Sequence, residues 1–456
     1  MILINTNKVN LKNFNKKFYY EKFIIFLFSF LPISFILGSF AINSNILIID
    51  LFFLFTCYRQ KQWSWIKNKY FYFFISIWIY LIFNSIISDN YASSAFDAIR
   101  KEIVYPQNES IIRSVNFIRF VIFLYAVQYF LINSKKVLNQ IFCFWSIIIS
   151  VVLIDVIFES ILGHNLLGYN SPNIFRIVSF FKDELVVGNF LLGFSFLVLG
   201  FLFKSINNNL KKKIFSNIFF FSIIICIYLS GERSNFVKAF IVTCLLLIII
   251  EDSYLFLKKK YIFSLIIIGI TMLTLVSENI RSRQIAFFKR IQLPAEYILS
   301  LKDNYNQSAP TKFGRVRTFA HYETAWQIFK DYPITGVGNR KFRYICHNEK
   351  YLVKNYEIIY NLERCSNHPH QVHLEILSEQ GILGYLIIIF TILYVLLNSF
   401  RVYRKTKDII HLSSILFVVT FFLPLLPSGS FFSTFNGSIF WINFSFVHAF
   451  LSKPNY

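Results

Sequence analysis

Acidic residues are scarce in this sequence: 24 Asp and Glu stand against 46 Lys and Arg, giving a formal charge of +22 over 456 residues. In a soluble chain that imbalance would point to nucleic acid. No Asp-x-Asp element occurs anywhere, so an enzyme that grips a sugar nucleotide through a bridging metal has little in its favour. Self-similarity at a spacing of roughly 20–50 residues is also missing, which excludes a solenoid. No small-residue cleavage site follows the first apolar run, so the Lys/Asn-rich tail reads as leading into a retained anchor rather than a removed signal.

What the chain has in abundance is apolar length. Hydrophobic residues make up 55% of it, with 57 Phe, too apolar for an ordinary soluble protein. Runs of roughly 20 apolar residues, enough to cross a hydrocarbon core, recur along it. They predict about twelve helices, at 22–42, 44–58, 70–88, 113–132, 138–162, 184–204, 214–230, 235–251, 261–277, 381–400, 411–427 and 433–452. The second reads as short. Alternate connections hold most of the Lys and Arg, and the short connections of the opposite set hold only Arg100, Lys101, Arg176, Lys182 and Arg233. That is the positive-inside pattern. It puts both termini in the cytoplasm, makes membrane lipids the surroundings and removes nucleic acid as a partner. The expected fold is an all-α membrane protein with one large helical loop on the outer face between helices 9 and 10. The divisions are a basic tail (1–21), a nine-helix block (22–277), the loop (278–378) and a three-helix block (379–456).

Within the loop, 281–301 mixes Arg and Lys with Ile and Phe as an interfacial helix would. Residues 317–330 put Phe319, Tyr322, Trp326 and Phe329 at helical spacing, and Asp331-Tyr332-Pro333 with Gly336-Val337-Gly338 reads as a stop and a tight turn. Cys346 and Cys365 both fall in the loop, where an oxidising compartment would permit a disulfide; two free thiols are the other reading. Charges predicted inside spans are expensive and usually paired or functional. Asp50, Arg119, Asp155, Glu159 and Lys238 are such charges, and Arg119 with Asp155 is the expected pair on adjacent helices.

Two short stretches carry candidate chemistry. Arg233, in Ser230-Gly231-Glu232-Arg233-Ser234-Asn235, stands where a helix begins after a tight turn. A guanidinium beside free helix amides suits a phosphate; a snorkelling arginine, or one paired with Glu232, is equally open. His368, His370 and His373 crowd a second stretch, Asn367 to Glu375. Their spacing is a poor match to metal ligands. A single neutral imidazole would serve as a general base, and a structural role is open as well.

Three stretches together resemble the O-antigen ligase and polymerase superfamily. They are Gly231-Glu232-Arg233-Ser234; Ala325-Trp326 through Asp331-Tyr332-Pro333-Ile334-Thr335-Gly336-Val337-Gly338 to Lys341-Phe342-Arg343; and His368-Pro369-His370-Gln371 through Leu374-Glu375 to Gly381-Ile382-Leu383-Gly384. The resemblance extends to Gly163-His164 through Arg176 and implies a bacterial inner-membrane enzyme with a periplasmic loop. It implies an undecaprenyl diphosphate-linked glycan as donor, lipid A-core or another glycan as acceptor, and no cofactor or metal. His370 aligns with the family's essential histidine and Arg233 with its diphosphate-binding arginine. Arg317, or else Arg315, fits the second essential arginine, with His368, His373 and Arg176 in support. Gln371 departs from the Asn of many members. A ligase hands finished chains to lipid A-core and a polymerase joins lipid-linked repeat units; both remain open. A polytopic transporter is the reading from another class.

Overall fold

The computed structural model describes residues 14–88, 95–97, 102–104, 106–132, 134–172, 176–182, 184–206, 209–276, 281, 317–351 and 364–452. The chain is a helical bundle whose only strands among these residues are an antiparallel pair, β1 (Ala95–Asp97) and β2 (Glu102–Val104). Seven helices are long and apolar enough to cross a membrane, or eight if one bent pair is a single span. The expected interfacial helix at 281–301 and Arg315 lie outside the described residues.

The first span is broken. Helices α1 (Phe14–Ser29) and α2 (Leu31–Leu37) meet at a bend of 42°, with Pro32 in the opening turn of α2, where its missing N–H costs nothing. The second span is not short: α3 (Ser39–Gln60) runs 22 residues. After it come α4 (Lys69–Ile87), α5 (Pro106–Asn116), α6 (Ile118–Val127) with a π turn to Ile132, and α7 (Lys135–Leu162). Next are α8 (Val187–Lys204), α9 (Leu210–Leu229), α10 (Arg233–Ile249) and α11 (Lys259–Val276). The amphipathic loop helix appears as α12 (Arg317–Asp331), followed by the short α13 (Phe342–Ile345). The chain then forms α14 (Val372–Thr406), α15 (Ile409–Phe421) and α16 (Thr434–Ala449).

Helix α8 is the axis of the bundle, buried from Val187 to Phe203. Small residues let neighbours approach it closely. A Cβ on Gly200 would come within 2.9 Å of the Ile409 carbonyl oxygen, and Asn443 of α16 donates to Gly193 O at 2.9 Å.

The predicted helix at 411–427 stops early, at Phe421. Pro424 and Pro427 cannot continue it, and residues 422–433 instead form a loop. That loop floors the candidate site.

Two backbones are locked together beside it. Helix α14 is interrupted at Gly381, where φ is 64°. The turn after α12 fits into that break: Val337 N donates to Ser378 O at 3.0 Å, Gly338 N to Glu379 O at 2.8 Å, and Ile382 N to Pro333 O at 2.8 Å. Only glycine fits on either side. A Cβ on Gly381 would stand 2.2 Å from Ile334 O, and one on Gly336 2.5 Å from the Glu379 carbonyl carbon. From α4, Asn84 donates to Glu379 O at 3.0 Å and Tyr80 to Gln380 O at 2.6 Å, satisfying carbonyls freed by the break.

Candidate functional site

Three histidines from two separate segments meet at one end of the bundle. The His370 ring stacks on His321 of α12 at 5.1 Å between centroids and lies 4.2 Å from His368. His370 has a left-handed backbone, φ 57°, a conformation that costs a non-glycine residue energy and is held by its surroundings. Its carbonyl accepts from Ser428 N at 2.8 Å and from the Tyr322 hydroxyl at 3.5 Å. Immediately after it, Gln371 caps α14: its side-chain oxygen accepts from Leu374 N at 2.8 Å. Asn does the same work at a helix start, which accounts physically for an exchange between the two.

The histidines differ in role. His368 Nε2 donates to the Ser428 carbonyl oxygen at 3.3 Å, so the proton is on Nε2 and the lone pair on Nδ1. Burial pushes its pKa well below the usual imidazole range, and His370, Arg340 and His321 push the same way; His368 stays neutral. His373 points elsewhere. Its Nε2 donates to Phe422 O at 2.8 Å and its Nδ1 accepts from the Tyr385 hydroxyl at 3.1 Å, so it fastens α14 to the 422–433 loop.

The ring nitrogens of His321, His368 and His370 do not converge on a point that could hold an ion. Among the described residues the one group with three donors in reach of an ion is Cys346, His347 and Cys365. There the two cysteines are joined in a disulfide, with Cα atoms 5.4 Å apart. The bridge ties α13 to the stretch that leads into His368.

Glu375 and Glu379, both buried on the first turns of α14, act as staples. Glu375 accepts from Phe431 N at 2.8 Å and from the Ser430 hydroxyl. Glu379 accepts from Arg340 N at 2.7 Å and from Phe342 N at 3.3 Å. Arg340 is a residue that sequence reasoning passed over. It too is left-handed, φ 60°, and its guanidinium donates to Phe432 O at 3.4 Å. It is surrounded by protein yet keeps accessible surface, as a side chain lining a crevice does. Burial, reinforced by Arg343 and Arg113, pushes its pKa down to about 9; at neutral pH the guanidinium keeps its charge.

The Arg233 turn lies at the same end of the bundle. Glu232 is buried and its carboxylate is taken by the start of α8, accepting from Gly188 N at 2.7 Å and Asn189 N at 3.2 Å, and from the Asn235 side chain at 2.6 Å. Arg176 lies close enough for its charge to act on that carboxylate, and Ile177 N donates to Ser230 O at 3.3 Å. Arg176 and Arg233 therefore flank the same buried acid. A short relay leads from this turn to the histidines. Asn189 donates to Asn436 Oδ1 at 2.5 Å, Asn436 packs on Gly429, and neighbouring Ser428 holds the His370 carbonyl. Arg317 opens α12 one helical turn before His321.

The expected Arg119–Asp155 pair does not form. Asp155 accepts from Leu166 N at 2.7 Å and Ser179 Oγ at 2.5 Å, and Glu159 from Val178 N and Ser179 N. These acids hold Leu166, Val178 and Ser179 in place. Arg119 instead has Asp50 as its charged neighbour and lies over Phe120, 4.6 Å from the ring centre. Lys238 is buried with its ammonium 5.9 Å from the Phe421 ring centre.

Residues 218–389 match the family model described as O-Antigen ligase. Over those residues the chain is similar to the O-antigen ligase family. The match runs from the middle of α9 into α14, so it takes in Arg233, His321, Arg340, His368 and His370. The parts of the candidate site outside it are α4, α8 and the 422–433 loop, which hold those residues from behind. Among curated proteins no relative matches the chain. Members of this superfamily are glycosyltransferase-like membrane enzymes working on lipid-linked glycans, and the fold supplies the membrane helices that such work needs.

Proposed function

We propose that the protein is a metal-independent, inverting glycosyltransferase of the bacterial inner membrane. It moves a glycan from undecaprenyl diphosphate to lipid A-core at the periplasmic face. In this reading about twelve helices span the bilayer, both termini are cytoplasmic, and 278–378 is the periplasmic loop between the nine-helix and three-helix blocks. His370 takes the proton from the acceptor hydroxyl. The new oxygen–carbon bond forms at the anomeric carbon as the bond to the diphosphate oxygen breaks on the opposite side. Undecaprenyl diphosphate leaves with the electron pair, its charge met by Arg233 and Arg317.

The observation that carries the reading is the relay from the Arg233 turn through Asn189 and Asn436 to the His370 loop. It brings an anion-binding element and a candidate base to one end of the bundle, with a helical wall against which a polyprenyl tail can lie. His368, neutral and beside His370, orients that ring; Arg176 supports the Arg233 turn. His373 is an anchor for α14 in this scheme.

A glycan gel on a deletion strain tests the function. Loss of a ligase leaves lipid A-core with no O-antigen, and complementation with wild type restores the ladder while His370→Ala does not. Core capped by a single repeat unit would instead assign the polymerase reaction. An unchanged ladder would remove the proposal.

A further inference from the structure

Arg340 lies beside the 422–433 loop, close enough to His368 for its charge to act on that ring. Its backbone is fastened by Glu379 at 2.7 Å, and its guanidinium reaches Phe432 O at 3.4 Å. The two nearby carboxylates are already committed: Glu375 to Ser430 and Phe431, Glu379 to backbone amides at 340 and 342. No carboxylate among the described residues forms an ion pair with the guanidinium. Arg343 and Arg113 add charge of the same sign. Near the candidate base, a guanidinium is thus ion-paired to no carboxylate of the described residues, and Glu375 and Glu379 act on it from beyond ion-pair distance. Arg340 is kept in a strained left-handed conformation, as functional residues often are.

Resting on the glycan-transfer reading, we propose that Arg340 forms an anion subsite on the acceptor side of His370, so that the acceptor glycan carries a carboxylate or phosphate close to the hydroxyl that is glycosylated. Displacement with inversion puts the leaving diphosphate across the anomeric carbon from the attacking hydroxyl. Arg340, whose charge acts on the ring beside the candidate base, is assigned to the hydroxyl's side. Arg233, linked to the His370 loop through Asn189, Asn436 and the 428–429 backbone, is assigned to the leaving diphosphate. The arrangement also couples binding to chemistry. Arg340 opposes protonation of His368 while it is bare, and an acceptor anion seated on it lifts that opposition at the ring next to the base.

The test uses the full-length protein in lipid nanodiscs with membrane-extracted lipid-linked donor. Three acceptors are compared: the native glycan, the same glycan with its carboxyl groups reduced, and the same glycan stripped of phosphate. Wild type loses at least tenfold in kcat/KM on one of the two treated acceptors, and which one identifies the anion. Arg340→Gln is already low on the native acceptor, no longer distinguishes it from the treated one, and keeps its donor KM. Arg340→Lys recovers part of the discrimination and serves as the second variant should Arg340→Gln fail to fold. The proposal is overturned if wild type uses both treated acceptors as well as the native one. It is equally overturned if Arg340→Gln or Arg340→Lys raises the donor KM and leaves acceptor preference intact. A wild-type protein that forms no glycosidic bond with any acceptor removes the transfer reading itself, a different result from either.

Discussion

Replacing Gly381 with Ala probes the joint on which the site is built. The new methyl group would meet Ile334 O at 2.2 Å and the Ile334 carbonyl carbon at 2.4 Å. Both are backbone atoms, so no side-chain rotation relieves the overlap, and the turn after α12 has to back away. At φ 64° and ψ −172° the backbone lies in a region essentially reserved for glycine, which costs an alanine about 1–3 kcal/mol. Moving the turn weakens three backbone hydrogen bonds, Ile382 N to Pro333 O, Val337 N to Ser378 O and Gly338 N to Glu379 O, each worth roughly 0.5–1.5 kcal/mol. The sum is on the order of 3–5 kcal/mol, a large part of a typical folding free energy. Thermal unfolding of the detergent-purified protein by intrinsic fluorescence should show Tm lower by roughly 3–5 °C, with glycan transfer lost because Arg340 moves with the turn. Gly269→Ala is the control: no atom lies within 4 Å of its added carbon, and Tm should hold or rise slightly. A Gly381→Ala protein that melts with the Gly269→Ala control and keeps its activity would refute this account of the joint.

Arg233→Gln should weaken capture of the lipid diphosphate by roughly 10-fold or more, about 1.5–3 kcal/mol for a charged contact, read as a raised donor KM with an unchanged elution profile. Glu232→Ala strips the start of α8 of its acceptor and should lower stability by roughly 1–3 kcal/mol, seen as a lower Tm. His368 has its folded pKa below its unfolded one, so its contribution is present above pH of about 6.5 and lost as pH falls, by up to about 1.4 kcal/mol per pH unit. Replacing His368 with Asn should therefore flatten the acid side of the Tm–pH curve, and an unchanged slope would count against a buried neutral imidazole. Breaking the Cys346–Cys365 bridge, which closes a 19-residue separation, should cost about 3 kcal/mol, so transfer by the wild type should fall when reductant is added.

What could be read from the residues alone was whatever depends on local pattern. Apolar runs announce the helices, Asp331-Tyr332-Pro333 ends α12, Gly336 and Gly381 mark special backbone, and the histidine-rich stretch stands out by composition. What stayed hidden depends on distant contacts. His321 lies 49 positions before His370 and looks like one polar residue on an amphipathic helix until the two rings stack. Arg340 sits inside a turn whose glycines draw the eye, and its meaning comes from Glu379 and from Phe432, nearly a hundred residues away. The 422–433 loop could have been found: Pro424 and Pro427 break the apolar run, and the run's hydropathy concealed them. The partner of Arg119 could not, because hydropathy fixes depth in a membrane but not which neighbouring helix a charge faces. Asp50 and Asp155 were equally deep candidates.

The most direct test of the central claim is transfer in a defined system. The purified protein in nanodiscs is given undecaprenyl diphosphate-linked glycan and lipid A-core acceptor, with and without a metal chelator, and the product linkage is determined by NMR. The account predicts a new glycosidic bond of inverted configuration, formed equally well with chelator and abolished in a folded His370→Ala protein. Retained configuration, dependence on metal, or undiminished transfer by His370→Ala would contradict it.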